Sequence, residues 1–380
     1  MSAADEAVSQ EEVSLGIRTL GADGKFEVLS SQEVARRLQS RLGDRPLTIL
    51  ALSSGGANGA FGAGAIAGAA RGDAGPEFTV VTGVSTGALV APFAFLGPAW
   101  DTQMSEIFTT GATDDLFRSR GIAVLFGSSV YSGAPLRQLI DRYADGAMIA
   151  AIAAQAAKGR LLLVATTDLS TGEPVIWDLG SIALHGGKYA KPLIRSVLLA
   201  SASIPGMLPP VVVRFRNRGR MRAETHVDGG VTLPFFIEPA PQDLPRSATV
   251  RVIIDGPLRN LPSPTHANAF SVFRRSLDAG LSHETRTQLE ATVQAMRRRG
   301  VALEYAAIPA TYPLRGSFDF SPEAQRSLFE YAENCAATGR LWIGAGTENG
   351  AAAGALLPVN TGAMCPADDS FFERLAALRN

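Results

Sequence analysis

The sequence is poor in the residues that most often build metal sites and disulfide frameworks: its 380 residues include two cysteines and four histidines. Cys335 and Cys365 stand far apart with no CxxC between them, so neither a zinc site nor a disulfide-stapled scaffold is indicated. Both are read as free thiols, with a single bridge as the alternative. An excess of one charge is lacking too. Lys and Arg number 35 against 36 Asp and Glu, a formal net charge of -1, which gives no overall attraction to nucleic acid or anionic surfaces. No lysine lies between Lys25 and Lys158, which excludes a Walker-type phosphate loop from that stretch. The N-terminus, MSAADEAVSQEE, has neither the basic start nor the apolar core of a signal peptide. A cytoplasmic or peripheral membrane location is therefore expected unless a signal has been removed.

What is abundant is apolar and small. Hydrophobic residues make up 46% and charged residues 19%, with 39 glycines, enough for a substantial core in one large or two modest domains. Residues 46–70 and 78–100 carry no charge, and each is long enough to cross a bilayer. Glycines break the first after Leu52, and the second holds Thr79, Thr82, Ser85, Thr86, Pro92 and Pro98. Both read as buried strand, turn, helix units, whose strands are covered on both faces and need no alternation.

Residues 1–45 read as a polar lead-in ending in SSQEVARRLQSRLGD, a helix capped by Ser30 or Ser31. Residues 46–380 read as the main domain. Strands are expected at 47–52, 78–84, 160–169, 249–256 and 301–308, and helices at 58–70, 86–96, 189–200, 268–299 and 322–337. A hairpin spans 211–227 and turns at 217–219. Parallel pairing through crossover helices follows from this order, and with it a layered α/β/α fold.

The stretch LALSSGGANGAFGAG (50–64) is a strand that runs into glycine. Gly55, Gly56 and Gly59 would leave backbone N–H groups free at a helix N-terminus, where the dipole adds positive character, so the loop reads as an anion site. Gly62, Gly64 and Gly68 read as close packing of the helix on the sheet. A dinucleotide fingerprint is out of register here, and the next strand lacks the acidic residue it needs. That strand instead ends in Gly83-Val84-Ser85-Thr86-Gly87. A G-x-S-x-G between an apolar strand and an apolar helix is the setting that holds a serine on a strained turn. A serine and a cluster of N–H donors at neighbouring strand ends suit acyl transfer, which makes the glycine loop an oxyanion hole.

The serine needs a base. Asp228, in HVDGG, is a carboxylate at a strand end followed by two glycines, for which a plain turn aspartate is the alternative. Ser85, Asp255 and His283 follow the chain order of an α/β-hydrolase triad, although such folds place their nucleophile after more strands. His226 would share the strand face of Asp228, in a catalytic or a structural role.

These segments together resemble the patatin-like phospholipases, lipid acyl hydrolases that use a Ser-Asp dyad. SSGGANG matches their Gly-rich loop, GVSTG their nucleophile motif and DGG their catalytic aspartate. LLASASIPGMLPPV (198–211) is similar to the Ala-Ser and Pro-rich stretch upstream of that aspartate, so the likeness covers about residues 47–235. The resemblance implies a patatin-like three-layer α/β/α sandwich around a mainly parallel sheet. It implies a carboxylic ester hydrolase acting on lipid at a membrane surface, with no metal, no other cofactor and no nucleic-acid partner. By it Ser85 is the nucleophile, Asp228 its base, and the N–H groups of Gly55, Gly56 and Ala57 the oxyanion hole. The loop departs from the family in having Ser54 for the first of three glycines and Asn58 for a basic residue. Positive charge is available in the hairpin, where Arg214, Arg216, Arg218, Arg220 and Arg222 alternate. Arg214, Arg216 and Arg220 are the candidates for an anionic lipid head, with a solvated hairpin edge as the alternative. An esterase with a histidine base, and a non-catalytic lipid- or nucleotide-binding module, remain the other two readings.

Overall fold

The computed structural model describes residues 16–43, 45–71, 77–112, 129–259, 268–344 and 365. Within them the chain forms β1 (Ile17–Leu20), β2 (Phe26–Leu29), α1 (Ser31–Leu42), β3 (Thr48–Leu52), α2 (Gly59–Ala69), β4 (Val80–Val84), α3 (Thr86–Leu96), α4 (Asp101–Thr109), α5 (Ala134–Tyr143) and α6 (Gly146–Ala157). There follow β5 (Leu161–Asp168), β6 (Pro174–Asp178), α7 (Leu179–His185), α8 (Ala190–Ser201), β7 (Val211–Asn217), β8 (Arg220–Asp228), β9 (Thr249–Ile254), α9 (Ala269–Arg299), β10 (Ala302–Ala307), α10 (Pro322–Ala337) and β11 (Ile343–Gly344). The strands make one sheet in the order β11-β10-β9-β3-β4-β5-β6-β1-β2, with the β7–β8 hairpin attached through β8 to β5.

The centre of the sheet is parallel, from β10 through β9, β3 and β4 to β5. Antiparallel pairing is confined to β6 and β8 on β5, β7 on β8, β2 on β1 and β11 on β10. Apart from half-buried Thr48, every residue of β3 and β4 is buried, as strands covered on both faces must be. Residue parity then sorts the side chains into two cores. Leu50, Leu52 and Val81 join Phe61 of α2, Ala88 of α3 and Leu328 of α10. Ile49, Ala51, Val80 and Val84 join Val34 and Leu38 of α1 and Leu289, Val293 and Met296 of α9. The molecule is a three-layer α/β/α sandwich around a mainly parallel sheet.

Residues 17–42 take part in this architecture. β1 pairs with β6 and extends the sheet, and Ser30 caps α1 by accepting the Glu33 N–H. Among the described residues no helix is long and apolar enough to cross a membrane.

Two expectations are corrected. Gly64 and Gly68 do not admit the sheet: a Cβ on either would fall on the backbone carbonyls of Phe329 and Glu333. They let α2 lie backbone to backbone against α10. The cysteines are not free thiols, because Cys335 is bonded to Cys365 with Cα atoms 5.4 Å apart, inside the span a disulfide bridges.

Candidate active site

β5 sets the position of the site. Its eight residues outrun the five of β4, so β4 pairs with it only as far as Val84 opposite Ala165. The next place on the same edge of β5 is taken by β8, with Asp228 opposite Thr166. Ser85 follows Val84, so the chain delivers serine and aspartate to adjacent positions at the carboxyl end of the sheet. Ser85 Oγ donates to Asp228 Oδ2 at 2.6 Å.

The turn holding Ser85 is strained. Its φ of 55° is one of two positive values among the described non-glycine residues, a conformation that is costly for an L side chain and clusters at functional sites. The flanking glycines permit it by close approach: a Cβ on Gly83 would stand 2.5 Å from the Gly87 carbonyl, and one on Gly87 2.6 Å from those of Leu52 and Ser53. Ser201 Oγ accepts the Ser85 N–H at 3.0 Å while donating to the Ala165 carbonyl at 2.7 Å. The Ser203 carbonyl accepts the Asp228 N–H at 2.9 Å. The two serines of LLASASIPG thus hold both members of the pair by their backbones.

Asp228 is 5% exposed. Its Oδ1 accepts the Gly230 N–H at 2.7 Å, which turns Oδ2 toward Ser85. Burial pushes its pKa up to about 7, against the lowering effect of the hydrogen bonds from Ser85 and Gly230.

The Gly-rich loop lies on the strand next to Ser85. Gly55 leaves no room for a side chain, since a Cβ would fall on Asp255, and Gly56 has φ of 59° with its Cα facing the Ser317 carbonyl. Thr86 Oγ1 donates to the Gly56 carbonyl at 2.7 Å, which ties the loop to the turn after Ser85. Neither the Gly55 nor the Gly56 N–H has a partner among the described residues. Ala57 differs from the expectation of a third donor: its N–H is spent on the Ser317 carbonyl at 2.8 Å.

Ser85, Asp228, Gly55 and Gly56 all line a cavity of about 690 Å³, whose wall is continued by Ile204 and Pro205, by α9 and by residues 310–318. No histidine among the described residues lines it. His283 is on an exposed part of α9 beside Arg286, and His266 lies outside the described residues. His226 is fully buried, with Nδ1 3.0 Å from Thr166 Oγ1 and Nε2 3.1 Å from Glu224 Oε2. Trp177 donates to the same Thr166 oxygen and Arg18 to the same Glu224 oxygen. His226 therefore ties β8 to β5, and Glu224, held by His226 and Arg18, ties β8 to β1. Burial pushes Glu224 up, but the hydrogen bonds from His226 and Arg18 outweigh it and hold the carboxyl below its ordinary range.

Asp255 and the hairpin arginines part company with their expected roles. Asp255 lines the cavity and is 2% exposed; its Oδ1 accepts the Gly62 N–H at 2.8 Å, and its Oδ2 is buried with no partner among the described residues. It supports the start of α2 and has no histidine beside it among the described residues. Val211, Val213 and Phe215 point into the core while Arg214 and Arg216 point to solvent, with Arg220 exposed on β8. The alternation is as expected, but none of the three arginines lines the cavity. The arginines that do are Arg259, Arg274, Arg275 and Arg315. Sequence reading had no signal for them, because α9 and the segments after β9 and β10 that carry them meet the strands bearing Ser85 and Asp228 only through the fold. Among the described residues no group of three or more His, Cys, Asp or Glu converges as a metal site.

Comparison with known proteins gives one family match, to a model described as patatin-like phospholipase, over residues 50–241. Among solved structures, the crystal structure of VipD from Legionella pneumophila aligns with 12% identity over 83% of this chain and 70% of that chain, at a TM-score of 0.35. No curated protein matches the chain.

Proposed function

This chain belongs to the patatin-like phospholipase family, and on that premise we propose that it is a serine acyl hydrolase of lipid esters working through Ser85 and Asp228. The observation that carries the reading is the 2.6 Å hydrogen bond from Ser85 Oγ to Asp228 Oδ2, made on a strained turn at the wall of a cavity of about 690 Å³. In the acylation step Asp228 takes the Ser85 proton as Oγ bonds to the ester carbonyl carbon. The carbonyl π electrons move to oxygen, and the N–H groups of Gly55 and Gly56 donate to that oxyanion. Collapse breaks the bond to the alcohol, which leaves with the proton from Asp228. Water then repeats the sequence on the acyl-serine, again giving its proton to Asp228, and releases the fatty acid. A carboxyl held near 7 by burial suits both halves, since it can accept and return a proton at neutral pH.

An esterase with a histidine base is less well supported, since the described cavity wall contains no histidine. A non-catalytic module gives no reason for the strain at Ser85 or for its bond to Asp228. A fluorophosphonate probe with p-nitrophenyl butyrate tests the proposal. Covalent mass on Ser85 and turnover by the wild type are expected, with both lost in Ser85→Ala. The melting temperature should hardly change, because removing one hydroxyl opens little cavity. Turnover surviving in Ser85→Ala would move the nucleophile elsewhere.

A further inference from the structure

The wall of the catalytic cavity formed by α9 and the segment after β10 lies beyond the residues matched to the family. Its charge is one-sided. Among the described residues Arg259, Arg274, Arg275 and Arg315 line the cavity, and no lysine, histidine or glutamate does. The carboxylates of the described wall each accept a hydrogen bond: Asp228 from Ser85 and Gly230, Asp255 through Oδ1 from Gly62 while its Oδ2 is buried, and Asp278 from Ser317 Oγ. Burial also pushes each of them toward the neutral form, whereas guanidinium groups keep their charge.

Arg274 is the centre of this wall. Its guanidinium lies over the Phe318 ring, 5.1 Å from the centroid, and its Nε is buried without a partner among the described residues. A buried guanidinium donor left unmatched costs free energy. Arg274 lines the cavity as well, and a guanidinium there is a matched partner for an entering oxyanion. Arg275 follows on the same helix and also lines the cavity, and both act electrostatically on Asp278, so α9 presents two cations to the cavity.

We infer that this wall is a head-group subsite that takes the phosphate of a glycerophospholipid and favours a head group of net negative charge over a zwitterionic one; the inference rests on the lipid hydrolase reading above. Arginine suits phosphate because its planar fork donates two bonds to two oxygens. A quaternary ammonium needs an open aromatic face or a free carboxylate. Of the aromatic rings lining the described cavity wall, Phe318 is covered by Arg274 and Tyr312 is packed against Tyr331, and Asp278 is already bonded to Ser317. The exposed hairpin arginines have no part in this recognition.

The test uses soluble, monomeric dihexanoyl phosphatidylglycerol and dihexanoyl phosphatidylcholine, so that binding to a membrane surface cannot contribute. Wild-type kcat/KM should be about tenfold higher for the glycerol lipid, mostly through KM, because choline sets a cation against the arginines where glycerol sets none. In the double variant Arg274→Gln, Arg275→Gln the ratio should fall to near one. Arg275→Gln alone, which leaves the Phe318 contact in place, should lower it part of the way and covers the case in which the double variant misfolds. Equal turnover of the two lipids by the wild type, or a ratio unchanged in both variants, overturns the inference. Inorganic phosphate that competes while the two lipids are turned over equally would mean a site for free phosphate, and the head-group assignment falls. Should the wild type hydrolyse neither lipid nor p-nitrophenyl butyrate, the hydrolase reading fails on its own. Calorimetric binding of the two lipids then decides the subsite: tighter glycerol-lipid binding that is lost in the variants sustains it, and equal binding overturns it.

Discussion

Asp228 and Asp255 are both buried carboxylates at strand ends, and their neighbours make them opposite cases. Asp228 has a hydroxyl to work on and is raised to about 7. It must be ionised to take the Ser85 proton, so kcat/KM should rise with pH through about 7 and level off above it. Asp228→Asn keeps the shape and cannot accept the proton, which should cost at least about 10²-fold in rate. A profile flat from pH 5 to 8, or an active Asn variant, would remove Asp228 as the base. Asp255 has no such task, and burial raises it well above the ordinary value of 3.8 with its Oδ2 unpartnered. Its folded-state pKa is the higher one, so the native state binds more protons and loses stability as pH climbs from near 3.8 toward that raised value. Asp255→Asn keeps an acceptor for the Gly62 N–H and cannot ionise. The variant should match the wild type in melting temperature at pH 4 and exceed it at pH 8, and equal curves at both pH values would show that the carboxyl is not held neutral.

At the scale of elements, the loop between β3 and α2 is the one whose geometry separates catalysis from packing. Gly56 sits at φ of 59° with no space between its Cα and the Ser317 carbonyl, so Gly56→Val must displace the loop. If the Gly55 and Gly56 N–H groups meet the oxyanion, kcat should fall by about 3 kcal/mol of activation free energy, more than KM rises, in enzyme assayed well below its melting temperature. A destabilised variant with normal kcat would leave the glycines a packing role only. The elements that carry this site were legible because each announces itself locally. TILAL and VVTGV are apolar runs with glycines at or just beyond their ends, and the hairpin arginines alternate with Val211, Val213 and Phe215. What stayed hidden was short or distant. IRTL and FEVL are strands of four residues each with too few positions to show a period, and PVIWD is broken at its start by Pro174. The Ala57 N–H is lost to Ser317, and the cavity arginines arrive on α9, through contacts between segments that no local pattern records.

Across the whole molecule, α10 links the site to the end of the chain. Through Gly64 and Gly68 it lies directly on α2, whose first residues carry the Gly-rich loop, and through Cys335 it is bonded to Cys365. Spacing could not reveal that bond, since two cysteines 30 residues apart can pair only if the fold returns the chain to the same place. A cross-link over a loop of that length removes conformational freedom from the unfolded chain worth about 3 to 4 kcal/mol in the chain-entropy account. The double variant Cys335→Ser, Cys365→Ser, or reduction of the wild type, should therefore lower the denaturation midpoint. The m-value should change as well, because an unfolded chain without the cross-link exposes more surface. Activity below the melting transition should survive, since neither sulfur lines the cavity. If reduction leaves the midpoint untouched, the bond does not hold in solution, and the packing of α2 on α10 stands without it.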